Sequence, residues 1–234
     1  MSNLQSMLSR YQAVVFFDTE TTGLDADSNQ IIELAALRVE ADAGGIPSPV
    51  AQMDTFIRLP DGKKLPEKIV ELTGITDEML QEQGVTLDAA ACQMAGLMSG
   101  AVLMVAHNAQ FDAGFLRNLL RGLKFERVDW LDSLTVFKDR RCYPHKLCNA
   151  ISAYGLSDKV QNSHRAIDDV LALFEVLKAM DEERDDLTEY INVFGFNPKY
   201  GISGRQVRGV RYAPQQFHNF MVPPCDILPA LIGD

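Results

Sequence analysis

Residues 14–23, VVFFDTETTG, join an apolar run to two carboxylates. The run from Ala13 to Phe17 is rich in β-branched and aromatic residues, which predicts a buried strand over about residues 13–18. Because side chains alternate faces along a strand, Asp18 and Glu20 project to the same side. Two like charges this close favour a divalent cation such as Mg²⁺ or Mn²⁺, or a proton on one acid. The alternative is a strand that runs out into a polar turn.

The composition is ordinary for a globular protein, with 234 residues, 47% hydrophobic and 23% charged. No apolar run approaches the ~20 residues that span a membrane, and the N-terminus lacks a signal-peptide pattern, so we expect no membrane association. The four cysteines form no CxxC pair and no disulfide framework, which favours a cytoplasmic location. A net charge of −10 argues against broad electrostatic binding to nucleic acid, but not against an acidic enzyme that binds phosphate through metal ions.

The order of predicted elements is that of an α/β domain. Strands are expected near residues 13–18, 31–39 and 53–59, as an antiparallel meander, and then at 101–106 and 128–131. Helices are expected after Pro66, Thr76 and Thr86 or Asp88, and near residues 111–120, 146–154 and 165–180, while residues 1–12 and 42–49 are expected to be irregular. We therefore predict a mixed sheet covered by helices over about residues 10–181, with a C-terminal extension over 182–234.

A further acid follows the fourth strand. The segment HNAQFD, residues 107–112, joins that strand to a helix, where Asp112 could simply favour the helix dipole. Ligand sites in α/β sheets favour the carboxyl ends of strands, however. Asp18, Glu20 and Asp112 therefore converge if the first and fourth strands are neighbours.

The segment HRAIDD, residues 164–169, opens the last predicted helix of the domain. Two consecutive residues cannot face the same way on a helix, and the apolar side set by Val170 and Leu171 places Asp169 toward the site. Asp168 is expected to be a solvated acid of the first turn. Taken alone, His164 has the position of a surface or capping histidine.

Together these three segments resemble, in order and spacing, the motifs of the DEDDh 3′–5′ exonucleases. This DnaQ-like family includes the proofreading (epsilon) subunit of bacterial DNA polymerase III. The similarity covers about residues 10–181, and LTGIT, residues 72–76, resembles a family loop that contacts the terminal nucleotide. The resemblance implies a ribonuclease H-like fold with a mixed five-stranded sheet flanked by helices. It also implies hydrolysis of single-stranded or frayed DNA from a free 3′ end to nucleoside 5′-monophosphates, in proofreading or repair.

The resemblance also implies a role for each motif residue. Two divalent ions, Mg²⁺ or Mn²⁺, would be held by Asp18 as the bridging ligand, by Glu20 and Asp169 around the water-bearing ion, and by Asp112 at the other. His164 would be the general base, a task that the unperturbed pKa of a histidine, about 6.5, suits. By motif position the expected substrate contacts are Thr19, Thr21, Gly23, Leu24, Leu72, Thr73, Asn108 and Phe111.

Other interpretations stay open. An exoribonuclease of the same group, trimming RNA 3′ ends, differs in its treatment of the 2′-hydroxyl, and the sequence does not say whether Thr21 and Thr73 accept it. Leu24 and Phe111 could stack on a base or simply pack in the core. A non-catalytic nucleic-acid-binding or polymerase-tethering module usually loses an acid or the histidine, and all five are present here. The histidines are too scattered for a zinc site, and no pattern supports a Ser or Cys nucleophile.

The C-terminal residues 190–234 lie outside the resemblance. Basic residues alternate there with aromatic ones, which suits single-stranded nucleic acid, although the segment could instead pack over the domain. These residues are Lys199, Arg205, Arg208 and Arg211, with Phe196, Tyr200 and Tyr212. The segment QFHNF, residues 216–220, faintly resembles the sliding-clamp peptide of replication proteins, with Asn219 where leucine is usual. A DNA polymerase or sliding clamp is the partner that this likeness would imply.

Overall fold

A mixed sheet organises the molecule, whose computed structural model describes residues 2–161, 163–202 and 204–215. The strands of this sheet are β1 (Ala13–Thr21), β2 (Ile31–Ala41), β3 (Pro47–Phe56), β4 (Ala101–Ala106) and β5 (Arg127–Asp132). Within the described residues they form a five-stranded sheet in the order β3-β2-β1-β4-β5. The first three strands pair antiparallel, whereas β4 pairs parallel with both β1 and β5. The predicted meander is confirmed, and the first and fourth strands are neighbours, which was the condition for Asp18, Glu20 and Asp112 to converge.

Helices cover both faces of the sheet. They are α1 (Asn3–Arg10), α2 (Glu67–Thr73), α3 (Asp77–Gln83), α4 (Leu87–Leu97), α5 (Ala109–Leu119), α6 (Ser133–Arg140), α7 (Leu147–Ala153) and α8 (Ala166–Glu183). Val14 and Phe16 of β1 pack in the core beneath α8, and Val15 and Phe17 pack in the core beneath α4 and α5. A strand buried on both faces needs apolar side chains at every position, which explains the continuous run before Asp18.

Three local predictions were wrong. Residues 3–10 form α1, which begins with a capping box between Ser2 and Gln5 and buries Leu4 and Met7. Residues 133–140 form α6, where no helix was predicted. Strand β3 begins at Pro47, inside the predicted loop, and ends at Phe56. Edge strands tolerate proline, and β3 is an edge strand. The prolines at its start therefore indicated a loop in the sequence, although the strand includes them.

The described part of the C-terminal extension packs against β5 and α6. It contains a 3₁₀ turn (Leu187–Tyr190) and the parallel strands β6 (Val193–Phe196) and β7 (Arg211–Pro214). Asn192 covers the edge of β5 at one residue, since its N–H donates to the Trp130 carbonyl (2.7 Å) and its Oδ1 accepts from the Trp130 N–H (2.9 Å). Phe194 is buried in the core. The clamp-like segment 216–220 lies outside the described residues, and none of the described helices is long and apolar enough to cross a membrane.

Candidate active site

Three carboxylates meet at the carboxyl end of β1. Asp18 and Glu20 lie on one face of β1, which continues to Thr21 instead of ending at Asp18. Asp169, in the first turn of α8, approaches the same face, and oxygen atoms of these three side chains all lie within 4.8 Å of one another. Asp168 stays outside the group, and its carboxylate accepts a hydrogen bond from the Ser163 hydroxyl. We call Asp18, Glu20 and Asp169 the acid centre.

The fourth predicted acid, Asp112, reaches the strand end from the opposite face. It lies in α5, which packs on the face of β1 to which Thr19 points, and its Oδ1 accepts a hydrogen bond of 2.6 Å from the Thr19 hydroxyl. Asp112 therefore lies outside the group of three acids. It is nevertheless the charged neighbour with the largest effect on the pKa of Asp18.

Burial and crowding raise the pKa values of these acids. Burial first, and then the charges of Asp112 and Asp169, raise the pKa of Asp18 well above its usual range. Burial and the charge of Asp169 raise the pKa of Glu20 to about 8. Burial raises the pKa of Asp112 to about 7, although the hydrogen bond from Thr19 opposes the rise. Burial and mutual repulsion both disfavour the charged carboxylates, so the centre favours either protons or cations.

His164 and Asn108 have an uncommon backbone conformation at the same cleft. Asn108, at the junction of β4 and α5, has φ 80°, and His164, two residues before α8, has φ 58°. Left-handed conformations are uncommon for residues other than glycine, and they cluster at functional sites. Both residues line a cleft of about 1320 Å³ that also contains Asp18 and Asp169. The exposed His164 therefore lines the same cleft as Asp18 and Asp169.

Glu33, which none of the sequence motifs includes, fixes the start of α8. This fully buried acid of β2 lies directly opposite Glu20 in the strand register. Its Oε1 accepts from Arg165 Nε (2.9 Å) and Nη2 (2.6 Å), and its Oε2 accepts from the Ala166 N–H (3.0 Å). This contact, the Glu33 clamp, holds the chain next to His164 and one turn before Asp169. A single acid within the apolar segment IIELAALRV, residues 31–39, was the available signal.

Asp132 fixes the other junction of the site and was also missed. From the end of β5 its Oδ1 accepts from the N–H groups of Asn108 (2.9 Å) and Ala109 (3.0 Å). Its Oδ2 accepts from the Thr135 N–H (3.1 Å) and hydroxyl (2.6 Å). One buried carboxylate thus caps α6 and holds the turn that aims α5, and with it Asp112. Its position before Ser133 signalled the cap but not the contact with Asn108.

The predicted substrate contacts divide into exposed apolar residues and residues whose hydroxyl groups are bonded internally. Leu24 and Leu72 are 86% and 52% exposed, respectively, whereas Phe111 packs on Phe115 with ring centroids 5.1 Å apart. The hydroxyl groups of Thr21 and Thr73 donate to the carbonyls of Gly23 (2.8 Å) and Ile69 (2.9 Å). The hydroxyl groups of the two threonines are therefore engaged within the chain, and the two leucines present apolar surface to solvent.

Gly23 leaves room for the Asn29 side chain within its own turn. A Cβ atom at this position would lie 2.5 Å from Oδ1 of Asn29, whose side chain closes the turn. Space beside a ribose is therefore not needed to explain this glycine.

A comparison with protein families matches residues 15–177 to the RNase T family, described as "Exonuclease". A DNA polymerase III subunit epsilon from Treponema pallidum is 34% identical over 174 residues, which are 72% of this chain and 76% of that protein. A PolC-type DNA polymerase III from Clostridium perfringens is 35% identical over 190 residues, 80% of this chain. The chain spans only 11 to 13% of the length of three such PolC-type relatives.

Among solved structures, E. coli exonuclease I in complex with a dA16 oligonucleotide superposes with a TM-score of 0.65. The sequences are 19% identical, and the match covers 76% of this chain and 42% of that chain. Another structure of exonuclease I gives a TM-score of 0.66 at 19% identity. These likenesses show the fold, so the mixed five-stranded sheet flanked by helices is ribonuclease H-like, as the sequence resemblance implied.

Proposed function

The chain belongs to this exonuclease family, and we propose that it is a two-metal-ion 3′–5′ exonuclease that acts on single-stranded or frayed DNA. As a family member it is a nuclease of the epsilon type; the substrate, the direction and the metal ions are the proposal. The observation that carries it is the acid centre, in which three carboxylates from β1 and α8 converge beside Asp112. The proposed products are nucleoside 5′-monophosphates.

The acid centre fits divalent metal ions. Its donors are carboxylate oxygens, which suit Mg²⁺ and Mn²⁺ better than softer metals. Burial raises the pKa values of Glu20 and Asp112, and Asp169 raises that of Glu20 further, so a bound cation would favour their charged forms. We assign Asp18, Glu20 and Asp169, with Asp112 beside them, as the ligands. When bound, such ions lower the pKa of a water molecule and stabilise charge on the leaving oxygen.

The remaining site residues deprotonate water and place the substrate. The exposed His164 is the proposed general base, which takes a proton from the attacking water at the opening of the acid centre. Leu24 and Leu72 are proposed to pack on the terminal base, since both present apolar side chains to solvent. The Glu33 clamp and Asp132 hold the backbone that carries His164 and Asp112.

Proofreading or repair in the cytoplasm is the proposed biological setting, with a DNA polymerase as partner. The names of the two relatives support the polymerase association. The cysteine pattern supports the compartment. An exoribonuclease that trims RNA ends is the second candidate within the same family.

A time course with labelled strands tests the proposal. Matched single-stranded DNA and RNA, labelled at the 5′ or the 3′ end, are incubated with Mg²⁺, Mn²⁺ or EDTA. We expect a metal-dependent ladder from the 5′-labelled DNA and immediate release of the label from the 3′ end. A His164→Gln variant should be about 100-fold slower. Faster degradation of RNA would select the exoribonuclease, and a lack of cleavage of either strand by folded protein would contradict the proposal.

A further inference from the structure

The cleft that contains the acid centre has walls built by two other segments. The loop between α6 and α7 contributes Tyr143 and Lys146. The C-terminal extension contributes Lys199 and Tyr200, a few residues after β6. These last two residues lie beyond residues 15–177, the part of the chain that matches the family. One wall of the cleft is therefore formed by the C-terminal extension, outside the part of the chain that matches the family.

The size of the cleft exceeds what one nucleotide requires. Its volume is about 1320 Å³, whereas pockets for single small ligands occupy roughly 300–1,000 Å³. The acids and His164 occupy one part of the lining. The two walls can therefore accommodate more of a strand than its terminal nucleotide.

The chemistry of the walls differs from that of the acid centre. Tyr143 is 66% exposed and Tyr200 is 74% exposed, so each presents an aromatic ring to solvent. Lys199 Nζ lies 5.2 Å from the centroid of the Tyr200 ring, and Lys146 is exposed on the opposite segment. Aromatic rings beside cations are the usual means of binding unpaired bases and their phosphates. In a chain of net charge −10, this placement of lysines beside an acidic site favours a bound polyanion.

The extension holds its wall in place through contacts with α6. The Gly195 N–H donates to the Thr135 hydroxyl (2.8 Å), and Gln215 Nε2 donates to the Thr135 carbonyl (2.8 Å). The N–H groups of Lys199 and Tyr200 donate to Asn197 Oδ1 (2.9 Å) and to the Asn197 carbonyl (3.0 Å). The two walls are thus attached to the same helix.

We propose that Tyr143, Lys146, Lys199 and Tyr200 bind the nucleotides that precede the 3′-terminal one. The bases stack on the two tyrosines, and the lysines bind the phosphates between them. Stacking on tyrosine requires bases free of a partner strand, so the site takes single-stranded nucleic acid. This inference rests on the proposed function and adds a second binding region to it.

Substrate length tests the inference. The substrates are deoxyoligonucleotides of two to six residues and the p-nitrophenyl ester of thymidine 5′-monophosphate, which contains only the terminal nucleotide. For the wild type we expect kcat/KM to rise with length. Tyr200→Ala should lower the value for the hexanucleotide about tenfold, with the ester unaffected. Tyr200→Phe should keep the wild-type value, because it keeps the ring.

A lysine variant and a matched control distinguish the loss of a phosphate contact in the cleft from the loss of a positive charge elsewhere on the extension. Lys199→Gln should lower kcat/KM for the hexanucleotide a few-fold and weaken its dependence on salt. Arg208→Gln removes an exposed charge that the sequence pattern groups with Lys199, but Arg208 lines a different cavity, with Arg117 and Trp130, and lies outside the cleft. We expect this control to match the wild type on every substrate.

Binding in EDTA gives a measurement that does not depend on hydrolysis. Fluorescence anisotropy with a labelled hexanucleotide should show weaker affinity for Tyr200→Ala and Lys199→Gln than for the wild type and Arg208→Gln. If Tyr200→Ala and Lys199→Gln both keep the wild-type dependence on substrate length and the wild-type affinity, the inference is wrong, and the proposed function still stands. Failure of the wild type to cleave the ester and the oligonucleotides would instead contradict the proposed function, and the anisotropy result would still decide whether the walls bind a strand.

Discussion

The acid centre and Glu33 lie side by side on the sheet and differ in the charges that surround their carboxylates. Glu20 and Glu33 are directly opposite in the register of β1 and β2. Glu33 is compensated by Arg165 and by the Ala166 N–H. Glu20 faces Asp169 instead, and its pKa is raised to about 8. A buried acid that is paired within the chain stabilises the fold, whereas one that faces other acids keeps an unfavourable free energy that a bound cation removes.

The largest effect should follow removal of one charge from the acid centre. Asp18→Asn keeps the shape of the side chain but loses the proposed bridging ligand. We expect hydrolysis of labelled DNA to fall more than about 1000-fold, which corresponds to about 4 kcal/mol of transition-state stabilisation. Thermal melting in EDTA should show a protein at least as stable as the wild type, because a repulsion has been removed. Hydrolysis within tenfold of the wild type would show that Asp18 is not a catalytic ligand, and the functional distinction between the acid centre and Glu33 would be wrong.

Removal of the compensated acid should have the opposite effect on stability. Glu33→Ala leaves the buried Ala166 N–H without its acceptor and breaks the ion pair with Arg165. We expect the free energy of unfolding, from urea denaturation, to fall by about 3 kcal/mol. Glu175→Ala is the matched control, since Glu175 pairs with Lys178 on the helix surface and should change stability by less than about 0.5 kcal/mol. Equal effects of the two variants would show that the clamp stabilises no more than a surface pair.

A smaller effect should appear in the pH dependence of the metal-free protein. Glu20 and Asp112 have raised pKa values of about 8 and about 7, so the folded state keeps protons that the unfolded chain loses near pH 4 to 5. Stability therefore falls as pH rises from about 4.5 to 8, because the folded state binds more protons than the unfolded one over that range.

If the acids are the proposed metal ligands, Mg²⁺ should oppose this dependence, because it would bind the deprotonated carboxylates. We expect the melting temperature in EDTA to fall between pH 5 and pH 8, and added Mg²⁺ to raise it more at pH 8 than at pH 5.5. In Asp18→Asn the decline in EDTA should be shallower. A Mg²⁺ effect that is the same at both pH values would contradict the assignment of the acids as ligands.

The parts of the fold that the sequence predicted are those with a strong local pattern. The apolar run at residues 101–106 matches β4, and the N-caps at Thr76 and Thr86 are present. The start of helix α1 depends in part on a distant contact that the sequence does not show: the N–H groups of Asn3 and Leu4 donate to Asp181 on α8. The helix also has local signals that were overlooked, namely its capping box and the helical spacing of Leu4, Met7, Leu8 and Tyr11.

Helix α6 and the site show the same limit. In α6 the polar side chains of Ser133 and Thr135 are buried beside Val136 and Phe137, which obscures its apolar period. The motifs predicted which acids gather, but not that Asp112 arrives from the face of Thr19. Nor could the sequence show that Tyr200 reaches the cleft while Tyr212 packs on Phe194. These outcomes depend on how distant segments meet, and local spacing does not record that.

The position of Asn192 has a consequence for aggregation during synthesis. Open sheet edges are templates for strands of other molecules. Pro47 and Pro49 on β3 lack the N–H groups that such pairing needs, so that edge is protected as soon as it forms. The β5 edge is closed at Trp130 only when Asn192 docks, and Asn192 is made well after β5. In a nascent chain the β5 edge of the sheet therefore stays open to strands of other molecules until the extension has emerged from the ribosome and folded back.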